Sequence, residues 1–171
     1  MSHPIPEPEW HLSDPNELLL SYLDYYRSVI VRKLDGLPDA ELRSSRLPSG
    51  WTPLELLQHL VFMERRWLRW GFTGEQVPEP HGDRDSEGRF QVGAAATVAD
   101  LVAALHDGGR RTRAIVAGAA LADRAAAGAR WAAGDDRPTL GWTLLHVLQE
   151  YARHAGQLDV VREIADGLTG E

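Results

Sequence analysis

Hydrophobic residues recur every three or four positions in four stretches of the chain, which is the spacing of one buried face of an α-helix. The first predicted helix begins at Asp14-Pro15, an N-cap residue followed by a proline in the first turn, and Gly36 ends it. The second begins with the capping box Thr52-Pro-Leu-Glu55 and runs to Gly71.

The third predicted helix begins at Thr97 or Asp100, and its apolar stripe reaches Val116. Gly108-Gly109 falls in its middle, where each glycine costs about 1 kcal/mol relative to alanine. We therefore expect this helix to be weak at its centre.

The fourth predicted helix is the longest, covering residues 140–167 in about seven turns. Residues 72–96, rich in glycine, proline and acidic side chains, form a long connection of a kind that serves as a crossover or a site loop. Residues 119–133 are alanine-rich and fit either a short helix or a loop.

These elements predict an all-α fold, a four-helix bundle with long crossover connections. We assign residues 1–171 to a single domain, in which the proline-rich residues 1–12 form an extended N-terminal arm. No internal repeat is visible.

Composition narrows the class of protein. Hydrophobic residues make up 43% of the 171 and charged residues 25%, which excludes wholesale disorder. The net charge of −7 weighs against binding to nucleic acid, whose phosphates attract basic surfaces. No apolar run approaches the ~18 residues of a membrane span, and no secretory signal opens the chain, so we expect a cytoplasmic protein without membrane contact.

Cysteine is absent, so the chain offers no thiolate ligand and no cysteine nucleophile. Any metal ion would therefore be held by nitrogen and oxygen. Of the seven histidines, four lie in the arm, the crossover or a predicted surface position and are expected to be solvated: His3, His11, His81 and His106.

His59 lies in the middle of the second helix, between Leu56 and Phe62, and should face the bundle interior. A lone histidine at such a position is more often a hydrogen-bonded core residue than a ligand. On the last helix, His146, Glu150 and His154 follow one another at four-residue intervals, ~6 Å apart along the axis. All three span ~12 Å, too far for one ion, and a Glu-x-x-x-His pair also occurs on solvated helix faces.

The segment Glu150-Tyr-Ala-Arg-His154-Ala-Gly-Gln157 resembles the last-helix motif of the DinB-like superfamily of small metal-binding four-helix proteins. The superfamily's other ligand is a histidine in the middle of the second helix, which corresponds to His59. Most members have histidine at the position of Glu150. The mycothiol-dependent maleylpyruvate isomerases use His, Glu and His, as found here.

The resemblance covers nearly the whole chain and is closest to a bacterial branch of the superfamily. It includes Pro48-Ser-Gly-Trp51 before the second helix and Glu64-Arg-Arg-Trp67 within it. The chain departs from the branch at Gln157, where many members have a second histidine, and at Gly141, near which many have an arginine. Either departure bears on substrate contacts and removes no proposed ligand.

The resemblance implies a divalent metal ion bound by His59, Glu150 and His154. Two imidazoles and one carboxylate suit zinc, and also nickel, iron or manganese, and three protein ligands leave a position open. Characterised superfamily members use mycothiol or bacillithiol in S-transfer or isomerisation. The resemblance therefore implies two small-molecule partners, a low-molecular-weight thiol and an electrophile. Homodimerisation through the bundle faces is an expectation by analogy alone.

Five further residues are assigned to the pocket or to the surroundings of the metal ligands, although each aromatic one also fits ordinary core packing: His146, Trp51, Trp142, Tyr151 and Gln157. Arg153 and Arg162 are either contacts for an anionic substrate or exposed, and Asp159 with Arg162 is read as a surface ion pair.

Two other functions stay open. One is a non-catalytic metal-binding protein with a stress or regulatory role, and the other is a metal hydrolase that needs no thiol. Glu55, one turn before His59, is explained by the capping box and is not assigned as a base.

Overall fold

The computed structural model describes residues 5–169, so the expectations for His3 and for the first four residues of the arm lie outside it. Across this range the chain forms five α-helices and one π-helix, and its only β-pairing is two isolated bridges. The elements are α1 (Pro15–Leu34), α2 (Asp39–Leu42), α3 (Pro53–Glu64), the π-helix (Arg65–Phe72), α4 (Val98–Ala117) and α5 (Leu140–Asp166).

The helix starts confirm the capping signals of the sequence. The Asp14 side chain accepts a hydrogen bond from Glu17 N at 2.9 Å, and Thr52 with Glu55 completes a capping box at α3. Thr97 and Thr139 cap α4 and α5 in the same way. Each of these side chains satisfies a backbone N–H that the first helical turn leaves unpaired.

The four long helices form the predicted bundle. α4 and α5 each pack against both α1 and α3, so that α1 and α3 face each other across the core. Leucines from all four helices fill this core, among them Leu23, Leu57, Leu105 and Leu144, each fully buried. The all-α fold is confirmed.

The second predicted helix differs from the expectation in its last part, where the chain widens into the π-helix. Thr73 N bonds Leu68 O, five residues back, at 3.0 Å. A Cβ at Gly71 would lie 2.9 Å from the carbonyl oxygen of Arg66, so the turn depends on glycine here. The wider turn points Arg66 at the crossover and Trp67 at α5.

α4 runs unbroken through Gly108-Gly109, the point at which the sequence predicts a weak centre. Gly109 is buried, and a Cβ there would lie 3.1 Å from the guanidinium carbon of Arg27 on α1. The glycine therefore allows a close approach between two helices.

The alanine-rich residues 119–133 form a loop, which settles the ambiguity of the sequence. The loop is fastened to the end of the π-helix: Trp131 Nε1 donates to Gly71 O at 2.9 Å, and Ala126 N donates to Phe72 O at 2.7 Å. Among the described helices, none combines the length and the apolar character that crossing a membrane requires.

Candidate metal centre

Three side chains from two helices converge inside the bundle. His59 comes from α3, and Glu150 and His154 come from successive turns of α5. One donor atom from each lies within 4.8 Å of the other two. Glu150 Oε2 is 3.6 Å from His59 Nε2 and 3.4 Å from His154 Nε2. The structure thus brings together the three residues that the resemblance singled out.

The group is buried on its histidine side and open on its carboxylate side. His59 is 3% exposed and His154 6%, whereas the Glu150 side chain is 24% exposed. Glu150 is therefore the member of the group that reaches solvent.

The ring of His59 is oriented by a carboxylate from the crossover. His59 Nδ1 lies 2.8 Å from Asp83 Oδ2, and Arg66 Nη1 donates to Asp83 Oδ1 at 2.6 Å. Burial raises the pKa of Asp83, but the hydrogen bonds from His59 and Arg66 outweigh it and lower the pKa to about 2. An ionised carboxylate accepts only, so Nδ1 carries the proton and Nε2 offers its lone pair toward Glu150.

A close approach of the crossover to α3 makes this contact. A Cβ at Gly82 would lie only 2.9 Å from Cε1 of Phe62, so a larger residue would push the loop away. Asp83, the next residue, is fully buried. Gln58 also holds the loop, donating to Gln91 O at 3.0 Å.

The second imidazole is held in the same manner. His154 Nδ1 lies 2.7 Å from Gln157 Oε1, the carbonyl oxygen of the amide. Both rings thus have Nδ1 engaged by an oxygen acceptor and Nε2 facing Glu150. In metal sites such partners fix the tautomer and orientation of ligating histidines. The structure places Gln157 beside His154.

The neighbouring rings keep Glu150 ionised. The contacts with His154 and then with His59 lower the pKa of the Glu150 carboxyl far below its usual value, against the opposing effect of burial. The carboxylate therefore offers its oxygens as acceptors or ligands throughout the neutral range.

Phe90 closes one side of the group. Its ring stacks on His59 with centroids 4.3 Å apart, and its edge faces His154 at 6.2 Å. Trp51 and Phe90 both line a surface cavity of about 710 Å³ on this side. Trp51 thus lies on the cavity next to Phe90.

His146 and Trp142 lie on the other side. His146 Nε2 is 3.8 Å from Glu150 Oε1, one turn from the three converging donors. Its ring stacks on Trp142 with centroids 5.2 Å apart, and it meets Trp67 at 4.3 Å. His146 and Trp142 therefore border the group, and Trp67 joins them.

Tyr151 is not brought to the group. Its buried hydroxyl donates to Glu64 Oε2 at 2.6 Å, within a network that also holds Arg27 and Thr112. The ring packs under the guanidinium of Arg27 at 5.4 Å. Glu64 and its partners form a buried polar cluster in the centre of the bundle, separate from the three donors.

The expected surface pair of Asp159 and Arg162 is wrong. Asp159 pairs with Lys33. Arg162 is 8% exposed and donates to Lys33 O at 2.9 Å and to Asp35 O. Carbonyls at the end of α1 lack partners within their helix, and the buried guanidinium supplies them.

Sequence reasoning missed Asp83 and Phe90, because residues 72–96 have no periodicity that fixes their position. The sequence does contain a signal for the buried ion pair of Arg27 and Glu64. Arg27 continues the stripe of Leu20 and Leu23, and Glu64 continues a stripe of its own helix. Opposite charges on two apolar stripes indicate a buried pair.

The bundle and its His/Glu/His group define the class of this protein, a DinB-like helical protein with a candidate metal site. The family model of the mycothiol-S-transferases matches residues 18–167, which is most of the chain. The chain therefore belongs to the mycothiol-S-transferase family, within the DinB-like superfamily. No curated protein matches it.

Proposed function

We propose that this protein is a metal-dependent S-transferase that joins a low-molecular-weight thiol of the mycothiol type to an electrophile. His59, Glu150 and His154 hold the divalent metal ion. The family and the His/Glu/His geometry support this proposal.

The donor set fits a divalent cation. Two imidazole nitrogens and a carboxylate oxygen are ligands of zinc, the ion we propose first, and also of nickel, iron and manganese. Asp83 and Gln157 hold both rings with Nε2 facing Glu150. Three protein ligands leave room for a fourth, which comes from a small molecule.

A divalent cation held by His59, Glu150 and His154 would supply the charge that lowers the pKa of a thiol, so that the thiol would react as a thiolate. The chain contains no cysteine, so the reacting sulfur comes from the thiol substrate. A carbon–sulfur bond forms as the leaving group departs with its electron pair, and the thiol proton passes to solvent. Phe90 shields the His59 ring, and the open side at Glu150 admits the substrates.

One observation carries the proposal. Both Nδ1 atoms are engaged by acceptors, which leaves both Nε2 atoms beside an ionised carboxylate. A histidine that serves only as a core residue needs no such convergence. This convergence supports the proposal that the two histidines and Glu150 are metal ligands.

Metal analysis of the purified protein followed by a conjugation assay tests the proposal. We expect about one divalent ion per chain, and conjugation of 4-(chloromethyl)benzamide that requires added mycothiol. His154→Ala should lose both. His106→Ala, at an exposed position of α4, should keep both.

Each alternative has its own outcome. Stoichiometric metal without turnover by mycothiol or bacillithiol would favour a binding role. Turnover without a thiol would favour the hydrolase. Full metal occupancy in His154→Ala would contradict the ligand assignment.

A further inference from the structure

A cluster of aromatic rings lies beside the candidate metal site, on the open side of Glu150. We call it the Trp67 cluster: Trp67, Trp131, Trp142 and His146. His146 links it to the site, with Nε2 3.8 Å from Glu150 Oε1. Trp142 is 52% exposed and lies parallel to the His146 ring, with 6° between the planes.

Arg130 lies on this cluster. Its guanidinium carbon is 3.8 Å from the ring centroid of Trp67 and 4.9 Å from that of Trp131. Its one recorded hydrogen bond is long, from Nη1 to Arg66 O at 3.4 Å. Within residues 5–169, no carboxylate lies at ion-pair distance from Arg130.

Other buried arginines of the protein, unlike Arg130, pair with carboxylates. Arg27 has Glu64 and Asp24, and Arg66 has Asp83. A guanidinium offers five N–H donors, and the aromatic faces around Arg130 accept none of them as a carboxylate would. Arg130 therefore presents a half-buried cation whose donors lack an anion.

The electrostatic surroundings of Arg130 favour an incoming anion. Burial and then the nearby charge of Arg66 lower the pKa of Arg130, so the structure itself disfavours this charge. A cavity of about 410 Å³ lies next to the cluster, and Trp131 and Trp142 line it together with Arg137 and the ion pair of Arg124 and Asp136. Arg137 is the cation of this cavity that no carboxylate pairs with among residues 5–169, and Arg130 lies beside the same tryptophans.

We propose that Arg130 and the Trp67 cluster bind the electrophile, and that the electrophile is a carboxylate with a flat, conjugated body. This inference rests on the proposed S-transferase function. The body lies against the exposed face of Trp142, and the carboxylate pairs with the guanidinium of Arg130. Arg130 is thus a specificity residue, beside the three metal ligands.

The tryptophan rings and the guanidinium of Arg130 contribute differently to the recognition of the electrophile. Stacking on tryptophan selects flat π-systems without regard to charge. The planar fork of arginine matches a carboxylate with two parallel hydrogen bonds. A neutral analogue of the same shape would retain the first contribution and lose the second.

The first test measures binding with two unreactive ligands of the same shape, 4-chlorobenzoate and 4-chlorobenzamide, by tryptophan fluorescence. We expect the carboxylate to bind about tenfold more tightly, as a charge-assisted pair at a half-buried site provides. Arg130→Met should equalise the two affinities, and Arg130→Lys should restore part of the difference. Arg110→Met, at an exposed position of α4, is the matched control and should leave the ratio unchanged.

The second test measures turnover with mycothiol and the pair 4-(chloromethyl)benzoate and 4-(chloromethyl)benzamide. In both, a carbon–sulfur bond forms, chloride leaves with the electron pair of the carbon–chlorine bond, and the thiol proton goes to the buffer. We expect kcat/KM to favour the carboxylate about tenfold through KM, and Arg130→Met to abolish this preference.

The outcomes separate the two proposals. Equal binding and equal turnover of the two compounds by the wild type would overturn this inference and leave the S-transferase function intact. An Arg130→Met variant that weakens both compounds equally would make Arg130 a packing residue, and would also overturn it. Absence of conjugation with either compound would contradict the proposed function, whereas the binding ratio would still decide whether a carboxylate site exists.

Discussion

Asp83 is the residue that fixes the ring of His59, through the 2.8 Å contact between its Oδ2 and His59 Nδ1. We predict that Asp83→Asn lowers zinc affinity about 10–100-fold, the usual cost of losing a partner of a ligating histidine. The neutral amide is a weaker acceptor and leaves Arg66 without its anion. Competition with a chromophoric zinc chelator measures the change.

Glu87→Gln is the control for this prediction, since Glu87 lies in the same connection, is exposed, and also loses one charge. Its zinc affinity should equal that of the wild type. A folded Asp83→Asn protein with unchanged affinity would mean that His59 is oriented by other contacts.

Tyr151 belongs to the buried cluster around Glu64, and its hydroxyl donates to Glu64 Oε2 at 2.6 Å. We predict that Tyr151→Phe lowers the free energy of unfolding by about 1–3 kcal/mol, because a buried acceptor loses a hydrogen-bond donor. Urea denaturation measures this loss. Zinc affinity of the same variant should stay unchanged, and a large fall in affinity would place Tyr151 in the site after all.

At this scale the sequence sufficed for residues on long periodic helices. The proximity of His59, Glu150 and His154 could be predicted, because a motif on a helix also fixes which face each side chain occupies. The position of Asp83 could not be predicted, because it lies in a connection without periodicity. Only the packing of that connection against the helices fixes where its side chain lies. Tyr151 was placed on the right helix and in the wrong surroundings.

Among the elements, α4 depends on a glycine for its approach to α1. Replacing glycine by alanine inside a helix adds up to about 1 kcal/mol of stability when space allows. At Gly109 the new Cβ would lie 3.1 Å from Arg27 Cζ, and Glu64 and Asp24 hold that guanidinium in place. We predict that Gly109→Ala lowers the free energy of unfolding by about 1–3 kcal/mol, as overpacking does. Thermal denaturation measures it.

Gly108→Ala is the matched comparison one residue earlier. Its nearest contact would be Glu64 Oε2 at 3.4 Å, an ordinary van der Waals distance. The variant should be as stable as the wild type or more so. Equal destabilisation of both variants would show that α4 does not approach α1 closely at Gly109.

Helix starts were predictable because each is signalled locally, by a side chain that pairs with a backbone N–H three residues on. The π-helix could not be predicted, since it depends on Gly71. A Cβ at this position would crowd the carbonyl oxygen of Arg66, five residues back. Likewise, the sequence predicts that Gly108-Gly109 destabilises α4. The close packing of Gly109 against Arg27 of α1 is visible only in the structure. Local sequence signals predict where helices begin, whereas packing against other elements determines how they continue.

For the whole molecule, metal binding should contribute to stability, because the proposed ligands join α3 to α5 and are brought together only in the folded state. At a zinc concentration 100 times Kd the gain is about 2.7 kcal/mol. For a chain of this size we expect the thermal midpoint to rise by roughly 5–10 °C, and a chelator to reverse the rise.

His154→Ala is the variant that tests this prediction, since it removes one ligand. Its thermal midpoint should not respond to zinc. A zinc-dependent rise as large as that of the wild type would mean that zinc stabilises the protein from another site.

The all-α bundle followed from periodicity, because four amphipathic helices with one apolar stripe each bury their stripes only against one another. Periodicity carries no information on where the connections lie against the helices. The crossover and the loop after α4 supply Asp83, Phe90 and Arg130, and so the surroundings of the site could be found only in the structure.

The π-helix has a consequence for how this chain tolerates changes of length. A wide turn holds one residue more than an α-helical turn, so deleting one residue within Arg65–Phe72 would let α3 continue as an ordinary helix. Side chains beyond the deletion would then keep their faces, because the wide turn is where the chain accommodates the extra residue. Loss of one codon in this turn should therefore be tolerated better than loss of one codon within Pro53–Glu64, where every later side chain of the helix would rotate by about 100° around the axis.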